Sequence, residues 1–354
     1  MVFWQQKKQK TQMEIEILEQ SMVVGALIEK YVKNYAVVLD MPLDVKNIKI
    51  IASGSSYNCA FIGKKFFEII SGIDASVEFS GEFLCDVTKK IDPDTLYFFI
   101  SQSGETYDTT SAAKIVKEAG GRALAIVNNE NSTLWDLCDY KININAGVEN
   151  SIAATKSFSA SLCTLYLCAL KIAQNKLMNV AKYMKNIKDV EKNISSVLDL
   201  TLDIDKAANF LSKYEAFPAI GQGINYALAR ECALKIKETS YIDVNAYSMG
   251  EFVHGHVAIL NKIDTLIEII TSDFCEFETK TLSKIRKDYK PKSVVITDLQ
   301  EDFEAAVGVV FPYCEDMLVR ILSVVFIVQM LALKIALKLK RNVDKPQGLN
   351  KVVN

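Results

Sequence analysis

The chain is poor in the residues that mark specialised chemistry. Only two histidines occur in 354 residues, both in Gly250-Glu251-Phe252-Val253-His254-Gly255-His256, and no cysteine lies near enough to complete a zinc site. No metal is therefore expected. The eight cysteines form no Cys-x-x-Cys pair, and several sit inside apolar runs such as Leu162-Cys163-Thr164-Leu165. They read as reduced core thiols, which places the expected compartment in the cytoplasm. Charge is balanced, with 41 Lys and Arg against 43 Asp and Glu, so no bulk positive field exists to hold nucleic acid or an anionic membrane. Nothing of signal-peptide length opens the chain at Met1-Val2-Phe3-Trp4. The uncharged run from Ile321 to Leu333 is shorter than the roughly 18–20 apolar residues of a membrane span. Bracketed by Arg320 and Lys334 and interrupted by Gln329, it reads as a buried core helix.

What is present is the composition of a globular enzyme: 50% hydrophobic and 24% charged residues, which excludes disorder, collagen-like repetition and coiled coil. Short β-rich runs are each followed by a helical pattern: Ile48 to Ala52, Thr95 to Ile100, Ala123 to Val127. Strands apolar along their whole length suit a parallel sheet covered on both faces, giving a three-layer α/β/α domain. Two long helical stretches, about Ala153–Ala173 and Val180–Leu198, separate this half from a second series of strands. The second half repeats the first. Gly54-Ser55-Ser56-Tyr57 aligns with Gly223-Ile224-Asn225-Tyr226, and Ile100-Ser101-Gln102-Ser103 with Ile270-Thr271-Ser272-Asp273. The expected plan is a helical arm over 1–40, one α/β domain over 41–198, its copy over 199–340 and a tail over 341–354, with one working anion site per chain.

That site is expected at Ser101-Gln102-Ser103-Gly104-Glu105-Thr106, between a strand and a helix that begins near Tyr107. Such a junction aims unpaired N–H groups and the positive end of a helix dipole at the loop. Three hydroxyls supply neutral donors, and Gly104 lets backbone approach a ligand closely. The loop has no lysine of the triphosphate-binding type, which argues for a phosphomonoester. Ser55-Ser56, at the end of the preceding strand, forms a second hydroxyl cluster, although helix capping alone would explain a lone Ser-Ser pair. Sixteen residues before His254, Lys235-Ile236-Lys237-Glu238 puts Lys235 and Glu238 on one helical face. A solvated ion pair would explain that spacing by itself.

Taken together, these segments resemble the sugar isomerase (SIS) family, most closely the tandem-SIS isomerase half of glucosamine-6-phosphate synthase and its SIS-type deaminase relatives. The resemblance runs nearly the whole chain. It includes Ser101 to Thr109, Ala146-Gly147-Val148-Glu149, Ala154-Thr155-Lys156-Ser157-Phe158, Ala233 to Tyr241, Gly250 to Gly255, Asp344-Lys345-Pro346 and Leu349-Asn350-Lys351. It implies a sugar phosphate held by Ser56, Ser101, Gln102, Ser103 and Thr106. It also implies Glu238 as the proton-shuttling carboxylate, Lys235 as its partner, His254 as the ring-opening histidine and Lys351 as a tail lysine reaching the substrate carbonyl. In that family the histidine comes from the neighbouring subunit, so a homodimer with shared sites follows.

Two departures from the family pattern stand out: His256 replaces the proline of the usual His-Gly-Pro, and Lys345-Pro346-Gln347-Gly348 alters the tail. The glutamine-hydrolysing domain with its N-terminal cysteine is also not seen before Met1-Val2, so ammonia release is expected ahead of synthesis. The expected reaction converts an amino-hexose 6-phosphate to a ketohexose 6-phosphate and ammonia, with no cofactor. An isomerase or a deglycase acting on a fructosamine 6-phosphate is the enzymatic alternative, and a non-catalytic sugar-phosphate sensor the other. Proton transfer between C1 and C2 needs a carboxylate close to both carbons. A nearby lysine would either stabilise the enolate oxygen or form an imine.

Overall fold

The computed structural model describes residues 10–352 except Val87, Asn186 and Asp273. The start of the expected arm, Met1 to Gln9, and Asp273 of the repeat therefore lie outside the described residues. The arm is not one helix. It breaks at Glu19 into α1 (Gln12–Leu18) and α2 (Gln20–Tyr31), and a two-stranded hairpin follows at Val32–Lys33 and Ala36–Val37.

The first sheet contains β1 (Asn47–Ala52), β2 (Asp74–Phe79), β3 (Thr95–Ser101), β4 (Arg122–Val127) and β5 (Tyr140–Asn143). Its order is β2-β1-β3-β4-β5, every pair parallel. The second holds β6 (Ala216–Gly221), β7 (Asp243–Ser248), β8 (Thr265–Ile270), β9 (Lys292–Thr297) and β10 (Val307–Val310). Its order, β10-β9-β8-β6-β7, is the same arrangement read from the other edge, again all parallel. Two chains of crossovers with identical order show that the weak sequence repeat is a structural duplication. β3 and β8 are buried at every position, as expected for strands covered on both faces.

The main helices in chain order are α3 (Gly54–Phe66), α4 (Tyr107–Glu118), α5 (Lys156–Asn175), α6 (Ile224–Ser240) and α7 (Met317–Lys338). Helices α3, α5, α6 and α7 form a shared inner layer whose apolar side chains join one large core running through both halves. Each sheet has a smaller core of its own on the opposite face. The α7 segment is long and apolar enough to cross a membrane by composition, yet its most apolar 18-residue stretch is 94% buried in protein. The helix expected over Val180–Leu198 is instead a chain of short pieces, including Ala181–Met184 and Val190–Ser195, ahead of Thr201–Leu211. Its sequence is polar and rich in asparagine, which competes for backbone hydrogen bonds and breaks a long helix. Five cysteines are buried as expected, but Cys85 and Cys275 are exposed and Cys314 is intermediate, because they lie at helix ends and in a loop.

Candidate active site

β1 and β3 run side by side in register, with Ala52 opposite Ile100. The chain leaves them for helices α3 and α4, so both loops emerge together where the strand order reverses. Ligands collect at that point in open α/β sheets. The first loop turns at Gly54, whose φ of +56° is left-handed and therefore suits glycine. The second turns at Gly104, with φ +71°, where an added Cβ would lie 2.1 Å from Ser132 Oγ.

The hydroxyl loop is ordered by its own bonds. Ser101 Oγ accepts from Gly104 N at 3.1 Å and pairs with Thr106 Oγ1 at 2.9 Å, while Ser103 Oγ accepts from Glu105 N at 3.1 Å. Above it lies a cavity of about 350 Å³, within the usual size for a small-molecule site. Ser56, Ser101, Gln102, Ser103 and Thr106 line it from the first domain, Leu234 and Glu238 from α6, and Leu349, Asn350 and Lys351 from the tail. At the corresponding loop of the second sheet, Ser272 N and Oγ donate to the buried Asp298 carboxylate at 2.7 and 2.9 Å, so a protein anion takes those donors.

Lys235 does not line the cavity but lies just behind it. Fully buried, its ammonium donates to Ser55 Oγ at 2.9 Å, lies 3.3 Å from Glu231 and pairs with Glu238. Burial alone would lower its pKa, but the carboxylates of Glu231 and Glu238 outweigh that effect and hold it above its ordinary value. Glu238 is the member of the cluster that reaches the cavity, with its side chain 16% exposed against 0% for Lys235 and Glu231. Desolvation raises its pKa, against the opposing pull of Lys235.

The tail is strapped across the cavity. Asp344 accepts from Gln12 N and Met13 N at 3.0 and 2.9 Å, and Gln347 N donates to Tyr241 Oη at 2.6 Å. Lys351 Nζ donates to Glu149 Oε2 at 2.6 Å and to the Ser151 carbonyl at 2.7 Å. Glu149 also accepts from Thr155 N at 3.0 Å, Ser157 N at 3.1 Å and Ser157 Oγ at 2.7 Å. Burial would raise its pKa, but Lys351 and the Ser157 donors lower it below the usual carboxylate range.

His254 does not join the other residues. It is exposed at the end of the short helix Met249–Phe252 and is not part of the cavity wall of its own chain. His256 packs against Tyr247 in a tilted ring pair, with centroids 4.5 Å apart. No local pattern marks Glu149 or Glu231 as a site residue: Glu149 ends Ala146-Gly147-Val148-Glu149 without a charged partner at helical spacing, and Glu231 is one charge among many. The only sequence signal for the latter was Glu231, Lys235 and Glu238 at i, i+4 and i+7.

Two duplicated parallel sheets, with a hydroxyl-lined cavity at the switch point of the first, are the architecture of a tandem α/β protein. The chain belongs to the SIS domain family, whose pattern matches residues 43–171 and 217–306. It is 32% identical over 354 residues to a glutamine–fructose-6-phosphate aminotransferase (isomerizing) of Campylobacter jejuni, covering 96% of this chain and 58% of the relative. The enzyme of that name from Gloeobacter violaceus is 34% identical over 325 residues, covering 89% and 52%. The chain thus spans a little over half the length of these curated relatives. Among solved structures, the C-terminal domain of glucosamine-fructose-6-phosphate aminotransferase from Francisella tularensis superposes with a TM-score of 0.88 at 28% identity, covering 96% of this chain and 99% of that one. Glucosamine-6-phosphate deaminase from Thermotoga maritima shares the fold, with a TM-score of 0.77 at 22% identity and coverage of 97% and 99%.

Proposed function

We propose that the chain is a phosphosugar isomerase acting on a hexose 6-phosphate, and that its net reaction is deamination: amino-hexose 6-phosphate plus water gives ketohexose 6-phosphate plus ammonia. The observation that carries this reading is the convergence of the Ser101–Thr106 hydroxyl loop, Glu238 and Lys351 on one cavity. The loop and the N-terminus of α4 hold the phosphate. Glu238 then moves a proton from C2 to C1 of the open-chain sugar, turning a 2-amino aldose into a ketimine. Water hydrolyses the imine, and the nitrogen leaves as ammonia. A carboxylate with raised pKa suits a group that must both take and return the proton.

Ring opening needs an acid-base group near neutrality, and histidine supplies one. His254 is exposed and does not line the cavity of its own chain, which supports a homodimer in which each subunit lends His254 to the other. The cytoplasm, without nucleic-acid or membrane partners, belongs to the same reading.

The alternative readings use the same residues: a fructosamine 6-phosphate deglycase would move the proton from C1 to C2 and hydrolyse the resulting aldimine to an aldose 6-phosphate and the amine, and an isomerase would move the proton with no amine released. A sensor would bind the sugar without turnover. The test is release of ammonia or amine, together with formation of the ketose or aldose 6-phosphate, across a panel of hexosamine and fructosamine 6-phosphates. Ammonia from a hexosamine 6-phosphate is the expected result. Tight binding of every member with no product would establish a sensor.

A further inference from the structure

The second copy of the fold has a cavity of its own. Strands β6 and β8 with the helices that follow them repeat β1, β3, α3 and α4, and a space of about 240 Å³ opens at the matching place. Its wall is built from equivalent positions. Gln222, Gly223 and Asn225 stand where Ser53, Gly54 and Ser56 stand in the first domain, and Glu278 is third in the helix Glu276–Tyr289 as Thr109 is third in α4. Gly223 repeats the left-handed turn, with φ +58° against +56° at Gly54. The place is the same and the chemistry is not: three hydroxyl side chains are replaced by two carboxamides and a carboxylate.

The polar groups of this wall are held in fixed orientations, and one of them lacks a partner. Gln222 Oε1 accepts from Gly250 N at 3.1 Å and Ser248 Oγ at 2.9 Å, which leaves Nε2 as the donor end. The buried Asn225 accepts at Oδ1 from Thr271 Oγ1 at 3.0 Å, which leaves Nδ2. Glu278 is 4% exposed, and its Oε2 accepts from Cys275 N at 2.9 Å in a capping box. Its buried Oε1 has no donor within hydrogen-bond distance among the described residues. A buried acceptor left unpaired is costly, so this one marks a place for a donor from outside the chain. No side chain caps the N-terminus of α6 beside it, so the first-turn N–H groups there add donors. Lys65 also lines the cavity, but its ammonium is paired with Glu68 at 2.7 Å. Gly223 and Ile69 are exposed and form the mouth.

We infer that this cavity is a second binding site, for a small polyhydroxylated ligand without phosphate, a free sugar or polyol, whose neighbouring hydroxyls donate to Glu278 Oε1 and accept from the Gln222 and Asn225 carboxamides. A hydroxyl both donates and accepts, so it satisfies an acceptor and two donors set side by side. A phosphomonoester would bring like charge against Glu278, where the first cavity has the neutral Thr109. At about 240 Å³ the space is smaller than a drug-sized site and takes one ring or a short chain. The assignment does not depend on the isomerase reading of the first cavity.

The test is a saturation-transfer NMR titration of the full chain with glucose and with glucitol. At least one of the two is expected to bind with Kd on the order of 1 mM, the strength a ligand of that size supplies, and glucose 6-phosphate should not displace it. Glu278→Gln keeps a carbonyl oxygen for the cap on Cys275 N and loses the second acceptor, so it should weaken binding at least about tenfold at an unchanged Tm. Ile69→Trp, at the exposed mouth, should block binding with every buried group untouched, and it decides the matter if the glutamine variant does not fold. Ser103→Ala, in the first cavity, should leave the Kd as it is. No saturable signal from either compound far above millimolar concentration would leave the cavity to water and overturn the site. Binding that glucose 6-phosphate displaces, or that Ser103→Ala abolishes while Glu278→Gln and Ile69→Trp do not, would place the sugar in the first cavity and overturn it equally.

Discussion

Lys235, Glu231 and Glu238 show how much a spacing can conceal. Three charges at i, i+4 and i+7 on a helix read equally well as a solvated stripe, yet Lys235 and Glu231 are fully buried. Asn58 Nδ2 donates to Glu231 at 2.8 Å and Arg230 Nε to Asn58 at 3.1 Å, so the cluster ties α6 to α3. Breaking a buried pair from one side leaves an uncompensated charge. Lys235→Met should therefore cost about 3–5 kcal/mol of unfolding free energy, measured by denaturant titration. A change under about 1 kcal/mol would mean that water reaches the cluster. pH dependence follows from the signs of the two carboxylate shifts. Glu238 has a raised folded pKa, so its contribution to stability is present at low pH and is lost as pH rises through that value. For turnover the same shift places the acid limb of kcat/KM above glutamate's ordinary 4.5. Glu149 has the opposite sign, and its contribution is lost only as pH falls through its lowered pKa. A pH profile with no acid limb above the ordinary glutamate range would count against Glu238 as the base.

At the scale of elements, the loop between β3 and α4 was legible because hydroxyls, a glycine and a strand-to-helix boundary are all local features. The expected helix start at Tyr107 is where α4 begins. The tail was less so. Its path depends on contacts made by Asp344 and Lys351 with residues that are respectively more than 300 and about 200 positions away, and no local pattern encodes them. The helix over Val180–Leu198 and the helical arm over 1–40 are interrupted for the converse reason: apolar spacing continues across breaks that polar backbone competition and packing impose. The loop carries a direct prediction. Ser103→Ala should weaken substrate binding by about 1–3 kcal/mol, the typical cost of losing a hydrogen bond to a charged group. It should do so without altering stability, since among the described residues Ser103 bonds only within its own loop. An unchanged KM for the phosphorylated sugar would remove phosphate from this loop.

For the molecule as a whole, the repeat visible in sequence is one strand order used twice, and the two copies have diverged in chemistry. One keeps its donors open to the cavity, and the other spends them on Asp298. The separation of His254 from the cavity has no local signal in the residues, because sequence order says nothing of which chain completes a site, and only the family resemblance implies it. If each subunit lends its histidine, mixed dimers of Glu238→Gln and His254→Ala chains should recover activity, since one of their two sites carries neither lesion. Lack of recovery in verified heterodimers would confine each site to a single chain.

In the proposed reaction Glu238, 16% exposed beside a fully buried lysine, carries the proton between C1 and C2. Hydrogen exchange with solvent measures that step without depending on which amine leaves. Incubated with a hexose 6-phosphate in D2O, the wild type should place deuterium at C1 or C2 of the sugar. Glu238→Gln, still folded and still binding phosphate, should do so at least about 100-fold more slowly. Exchange by the variant at the wild-type rate would contradict the account and reduce Glu238 to a counter-ion of Lys235.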